Sequence, residues 1–202
     1  MKEINDYAKW TLNHAWVILF SYVTGMIVLL FIHDAFGFSM DDDGTYLSNP
    51  IMHIGSGLVL ALGVGILQRE LLKKRFPVSF SWVLSLMIGF VVAESVAGIV
   101  LWKLEIYRGM INILNTDVHY PESLIFAFAG LIAGIIQFRL LKPYFKKRFY
   151  WILSSVLGWA ALILSTYLSL VGIILGIALY GAITGFALYR IMESKNQVDI
   201  VP

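Results

Sequence analysis

Residues 151–189 read WILSSVLGWAALILSTYLSLVGIILGIALYGAITGFALY, thirty-nine positions without one Asp, Glu, Lys or Arg. As a single helix rising 1.5 Å per residue, the run would reach about 58 Å. That is about twice the hydrocarbon core of a bilayer, so the chain is expected to turn back near 165–172 and cross twice. Working upstream, four more apolar runs follow the same logic: 15–32, 51–67, 82–102 and 123–138. Glu94 alone interrupts the third, and Pro121 stands just before the fourth, where proline suits a helix start. The sum is six spans.

Composition agrees with that count. Apolar residues make up 59% of the 202, against about 45–50% in soluble domains, and at about 20 residues per crossing this is roughly six spans' worth. The mean hydropathy is +0.79. Little remains for a separate soluble domain, and the fold class expected is an all-α polytopic membrane bundle, one transmembrane domain over 1–202. Lys2, Glu3, Asp6 and Lys9 precede the first run, which lacks a small-x-small cleavage pattern and so reads as a retained span.

Lys and Arg in short loops stay on the cytoplasmic side. Arg69, Lys73, Lys74 and Arg75 lie between spans two and three, and Arg139, Lys142, Lys146, Lys147 and Arg148 between four and five. With Lys2 and Lys9 ahead of span one and Arg190 and Lys195 after span six, both termini are expected inside, in an inner (plasma) membrane. The outer side receives the acidic segment 34–50, the mixed segment 103–122 and a tight uncharged turn.

Setting Gln68 on Gln137 aligns a long ungapped stretch: Gly65 on Gly134, Leu71 and Leu72 on Leu140 and Leu141, Trp82 on Trp151, Ser85 on Ser154, Gly89 on Gly158. Hairpins at about 51–102 and 121–170 therefore read as a parallel duplication, unlike the inverted repeats common in transporters. Gly181-x3-Gly185 echoes Gly130-x3-Gly134, with Leu188 in place of the glutamine. Small residues four apart let helix backbones approach, so Gly65, Gly130, Gly134, Gly181 and Gly185 are expected to serve packing. Trp82 and Trp151 suit the interface belt.

Among polar residues Glu94 is the most informative, because a carboxylate near mid-membrane costs about 2.5–3.5 kcal/mol on insertion scales and must face the bundle interior. His53, at the outer start of span two before Gly55, Ser56 and Gly57, can serve as acid, base, ligand group or interfacial anchor. Glu122, Asp117 and His119 enter span four and are expected to close the same outer pocket, with Arg108 on its rim to hold an anion or pair with an acid. The spacing matches no zinc pattern such as H-E-x-x-H, so no metal is expected, and no cofactor. Asp41-Asp42-Asp43-Gly44 lacks the remaining positions of a calcium loop and reads as a solvated acidic turn.

A net charge of +2 without basic clustering over a soluble fold excludes a nucleic-acid partner. With no cysteine there is no disulfide, thiolate nucleophile or Cys-type zinc site. Gly-rich phosphate loops and the G-x-S-x-G elbow are absent too, and whether the protein is an enzyme stays open.

Asn49-Pro50-Ile51-Met52-His53 is similar to the histidine-bearing span start of the VanZ-like family of small bacterial membrane proteins, with Asn49 for an aspartate. Gln68-Arg69-Glu70-Leu71-Leu72 resembles the end of that helix in a related YjdF-like group. Glu94 looks like the family glutamate, though Ala93 and Ala97 replace an aspartate and a glutamine, and Glu122, Gly130 and Gly134 look like the acidic small-residue helix, with Phe126 for an asparagine. The resemblance covers about 49–134. It implies a link to the cell envelope and no defined reaction. The function expected is an outward-facing pocket that binds a lipid or envelope amphiphile. A non-catalytic subunit of a membrane complex is the alternative, and a small proton-coupled transporter the third. Membrane lipids are the expected partners, with a membrane-protein partner or homo-oligomer left open.

Overall fold

The 39-residue run does fold back. In the computed structural model, which describes residues 2–36, 50–103, 110–113, 116–167 and 170–193, it divides into two helices, α5 (Phe149–Thr166) and α6 (Leu170–Met192). Four precede them: α1 (Lys2–Phe36), α2 (Pro50–Leu72), α3 (Ser81–Lys103) and α4 (Tyr120–Leu140). Pro50 and Pro121 sit in first turns, where the missing N–H is no loss. The helix α1 begins well before the apolar run at 15–32 and extends 35 residues.

Between α3 and α4 the segment read as a mixed outer loop contains a short antiparallel ribbon, β1 (Met110–Ile113) with β2 (Thr116–His119), pairing Met110 with His119 and Asn112 with Asp117. The alternation Ile111, Asn112, Ile113 carries this signal. Strands this short are easily passed over beside long helical runs.

Each helix packs on its chain neighbours and α6 returns to α1, so the six form a closed ring. Its interior is filled in two layers. At the end carrying the 73–80 and 141–148 connections, Trp10, Leu72, Phe76, Trp82, Leu141, Phe145, Trp151 and Leu188 are buried together. Above them lie Ile18, Phe90, Ala93, Trp159, Leu162 and Tyr180.

The same contact recurs three times around this ring. The Trp82 Nε1–H donates to Gln68 Oε1 at 3.0 Å and Trp151 Nε1–H to Gln137 Oε1 at 2.5 Å, each across fourteen residues. Trp10 Nε1–H donates to Thr184 Oγ1 at 3.2 Å. Three residues before each acceptor stands a glycine with a backbone against it: a Cβ on Gly65 would lie 3.1 Å from Val83 Cα, on Gly134 3.0 Å from Ile152 Cα, and on Gly181 3.0 Å from Thr11 Cα. Every one of these targets directly follows the donor tryptophan. Ile18, Phe90 and Trp159, eight residues past each donor, are all buried. The three units are thus α2 with α3, α4 with α5, and α6 with α1, the last divided between the two ends of the chain. In this register Gly181 matches Gly134 and Thr184 matches Gln137, one turn away from the reading that sets Gly181 on Gly130.

Among the described residues two helices, over Ser123–Leu140 and Val171–Met192, are long and apolar enough to cross a membrane, and the apolar stretches Ser81–Val96 and Phe149–Ser165 are shorter.

Candidate functional site

Glu94 is the residue on which the candidate site rests. It follows Phe90 by one turn of α3, beside Ala93, and is buried to 5% exposure. It is engaged by a neighbouring group. Position around it can be read from the close approaches of the helices. A Cβ on Gly57 would meet Phe90 Cδ1 at 2.8 Å; His53 is one turn before Gly57 in α2, so its backbone is level with Glu94 across the α2–α3 contact. On the other side, a Cβ on Gly89 would lie 2.6 Å from Ala129 O. Six and seven residues before Ala129 stand Ser123 and Glu122, which brings the start of α4 to the layer of Glu94.

Ser123 was not anticipated. It is buried to the same 5% as Glu94, and its Oγ has no hydrogen-bond partner among the described residues. A hydroxyl left so in a dry interior costs about 1–3 kcal/mol, and its cue in the sequence is only its place beside Glu122. Of the other candidates, Asp117 and His119 are two residues apart in β2, one short turn of chain from Glu122. The side chains of His53, Asp117, His119 and Glu122 lie outside the described residues, as do Arg108 and the acidic run 41–43. Backbone level is therefore what unites His53, Glu94 and Glu122. Among the described residues no three His, Asp or Glu side chains gather as a metal site would require.

A second polar system, at the opposite end, is built from the residues of the repeat. Gln68 accepts from Trp82 and donates through Nε2 to Tyr180 Oη at 3.2 Å. Gln137 accepts from Trp151 and donates to the Trp82 carbonyl at 3.4 Å. Thr184 donates to the Tyr180 carbonyl at 2.8 Å while accepting from Trp10. The three indoles converge, Trp82 on Trp151 at 5.2 Å between centroids and Trp10 on Trp151 at 6.3 Å. These tryptophans face inward as hydrogen-bond donors, whereas an interface belt was expected of Trp82 and Trp151. Gly130 and Gly134 hold α4 against α5, a Cβ on Gly130 falling 2.6 Å from Ser155 O, and Gly185 is buried in α6.

The arrangement is a ring whose described axis is closed by aromatic side chains at one end and carries buried carboxylate and hydroxyl groups toward the other. Compared with protein-family models, curated proteins and solved structures, the chain matches none.

Proposed function

We propose that the protein is a six-span inner-membrane protein with both termini cytoplasmic, whose outer layer between α2, α3 and α4 binds the polar head of a lipid or cell-envelope amphiphile. The observation that carries this reading is the burial of Glu94 and Ser123 in one layer of adjoining helices, the Ser123 hydroxyl unpartnered among the described residues. Polar groups at that depth cost free energy unless a ligand, water or neighbouring side chain meets them. His53 and Glu122 would complete the layer, and Asp117, His119 and Arg108 its rim.

Support for the membrane comes from the outside of the ring. Trp16, Phe20, Ile27 and Phe31 on α1 and Ile174, Leu175 and Phe186 on α6 are all exposed, and apolar patches of this extent mark contact with lipid or protein. Lys73, Lys74, Arg75, Lys142, Lys146, Lys147 and Arg148 collect at one end, which orients the ring by the positive-inside rule. The resemblance to VanZ-like proteins points toward the envelope as well. A path through the ring would require the indoles of Trp10, Trp82 and Trp151 to part, which weighs against transport.

The test is ligand retention. Purified wild type is expected to carry an amphiphile that survives gentle detergent exchange and is released by organic extraction. Glu94→Gln and His53→Ala are expected to lose it while remaining helical and monodisperse. Equal retention in both variants would overturn the proposal.

A further inference from the structure

The basic end of the ring carries a cleft of about 610 Å³, between the 73–80 connection and the last turn of α4. Its wall is apolar, made by Phe76, Leu140 and Tyr144, and two cations, Lys73 and Arg139, stand on it. The wall is packed from aromatic rings: Phe76 lies on Tyr144 at 5.4 Å and edge-on against Phe145 at 5.1 Å. The cations differ in their state. Lys73 is ion-paired to Glu70, whereas Arg139 has no ion pair or side-chain hydrogen bond among the described residues.

The threefold recurrence sets Arg139 apart from its equivalents in the other two units. In the register set by Gly65, Gly134 and Gly181, the positions equivalent to Arg139 are Glu70 in α2 and Phe186 in α6. At this one position, therefore, the α2 unit offers a carboxylate, the α6 unit an aromatic ring, and the α4 unit a cation. Packing does not require this arginine, since it is exposed.

We propose that this cleft binds an anionic glycerophospholipid, the Arg139 guanidinium holding the phosphodiester and the Phe76, Leu140 and Tyr144 wall taking the apolar body below it. The inference rests on the membrane reading above, which places this end of the ring at headgroup level. A planar guanidinium suits a phosphate because it donates two parallel N–H bonds, and basic pockets at the cytoplasmic ends of spans are where anionic headgroups bind. A free phosphate would match the cation but leave the apolar wall uncovered. Glu70 acts against binding, since it holds Lys73 away from an incoming anion.

The full chain in neutral detergent is titrated with short-chain phosphatidylglycerol, with phosphatidylcholine of the same chain length, and with inorganic phosphate, binding being read by thermal shift and by intact-complex mass spectrometry. Phosphatidylglycerol is expected to bind and stabilise, phosphatidylcholine to bind more weakly because its trimethylammonium is brought against Lys73 and Arg139, and inorganic phosphate not to compete. Arg139→Gln is expected to weaken phosphatidylglycerol about fivefold, the contribution of one basic residue near an anionic surface, with Lys73→Gln weakening it less. Glu70→Gln is expected to tighten it, a sign that simple loss of structure would not produce. Equal binding of the two lipids, competition by inorganic phosphate, or an unchanged affinity in Arg139→Gln would overturn the proposal. Retention of the wild type in membranes through an alkaline carbonate wash is scored separately, so failure of the membrane reading and failure of the cleft are distinguishable.

Discussion

Replacing Gln137 with leucine tests the polar layer at its tightest bond. The Gln137 side chain is buried to 1% exposure, accepts from Trp151 Nε1–H at 2.5 Å and donates to the Trp82 carbonyl at 3.4 Å. Leucine fills nearly the same volume, so the loss is of hydrogen bonding rather than packing. It leaves an indole N–H buried without an acceptor, at a cost of about 1–3 kcal/mol, or roughly 5- to 150-fold in the unfolding equilibrium. Trp151→Phe removes the donor and opens a cavity of its own, so the single variants cannot be compared directly; the double variant closes the cycle. Measured couplings across membrane helices average about 0.6 kcal/mol and reach about 1.7, and this bond is expected in the upper half of that range. Unfolding would be followed by far-ultraviolet circular dichroism in mixed micelles of rising dodecyl sulfate fraction, a readout the lost indole does not disturb. A fully stable Gln137→Leu with zero coupling would refute the reasoning.

Gly130→Ala places a methyl 2.6 Å from Ser155 O and 2.9 Å from its carbonyl carbon, so α4 and α5 must separate; an overpacking loss of about 1–3 kcal/mol is expected to outweigh the gain in helix propensity of up to about 1 kcal/mol. Gly158→Ala meets the Tyr180 ring at 3.0 Å instead of backbone, and in the same dodecyl sulfate assay it should destabilise less; the reverse order would contradict the packing described. At the basic end, the hydrogen bond from Lys73 holds the exposed Glu70 carboxyl below its ordinary value. Because the folded value is the lower one, its contribution is present above the unfolded carboxylate pKa and is lost as pH falls through the folded value. Carboxyl-carbon nuclear magnetic resonance should show its midpoint rising in Lys73→Gln, and an unmoved midpoint would remove the ion pair.

How far the fold was legible follows from which signals were local. The turn-back within 151–189 is a matter of length alone, and the divide between α5 and α6 falls inside the expected 165–172. Gln68 and Gln137 were legible as a matched pair because their hairpins keep identical connections. The third unit was hidden for two physical reasons. Its helices sit at opposite ends of the chain, and a threonine does the acceptor's work, so no ungapped shift brings Trp10 and Thr184 beside the other pairs. The ribbon at 110–119 escaped notice because four-residue strands carry too little alternation to compete with long apolar runs. Glu94 could be assigned to the interior from its insertion cost, whereas Ser123 could not, since one serine at a helix start is unremarkable until its neighbours are known. Arg139 read as one loop cation among five, and its difference from Glu70 and Phe186 emerges only when the three units are superposed.

The most direct test of the six-span ring uses the absence of native cysteine. Single cysteines at positions 44, 74, 112, 146 and 195 can be probed in intact cells with a membrane-impermeant maleimide, before and after permeabilisation. D42C is a spare position for the first outer segment. The account predicts labelling of G44C and N112C from outside and protection of K74C, K146C and K195C until the membrane is opened. Labelling of K74C or K146C in sealed cells, or recovery of the unmodified chain in the soluble fraction, would contradict it.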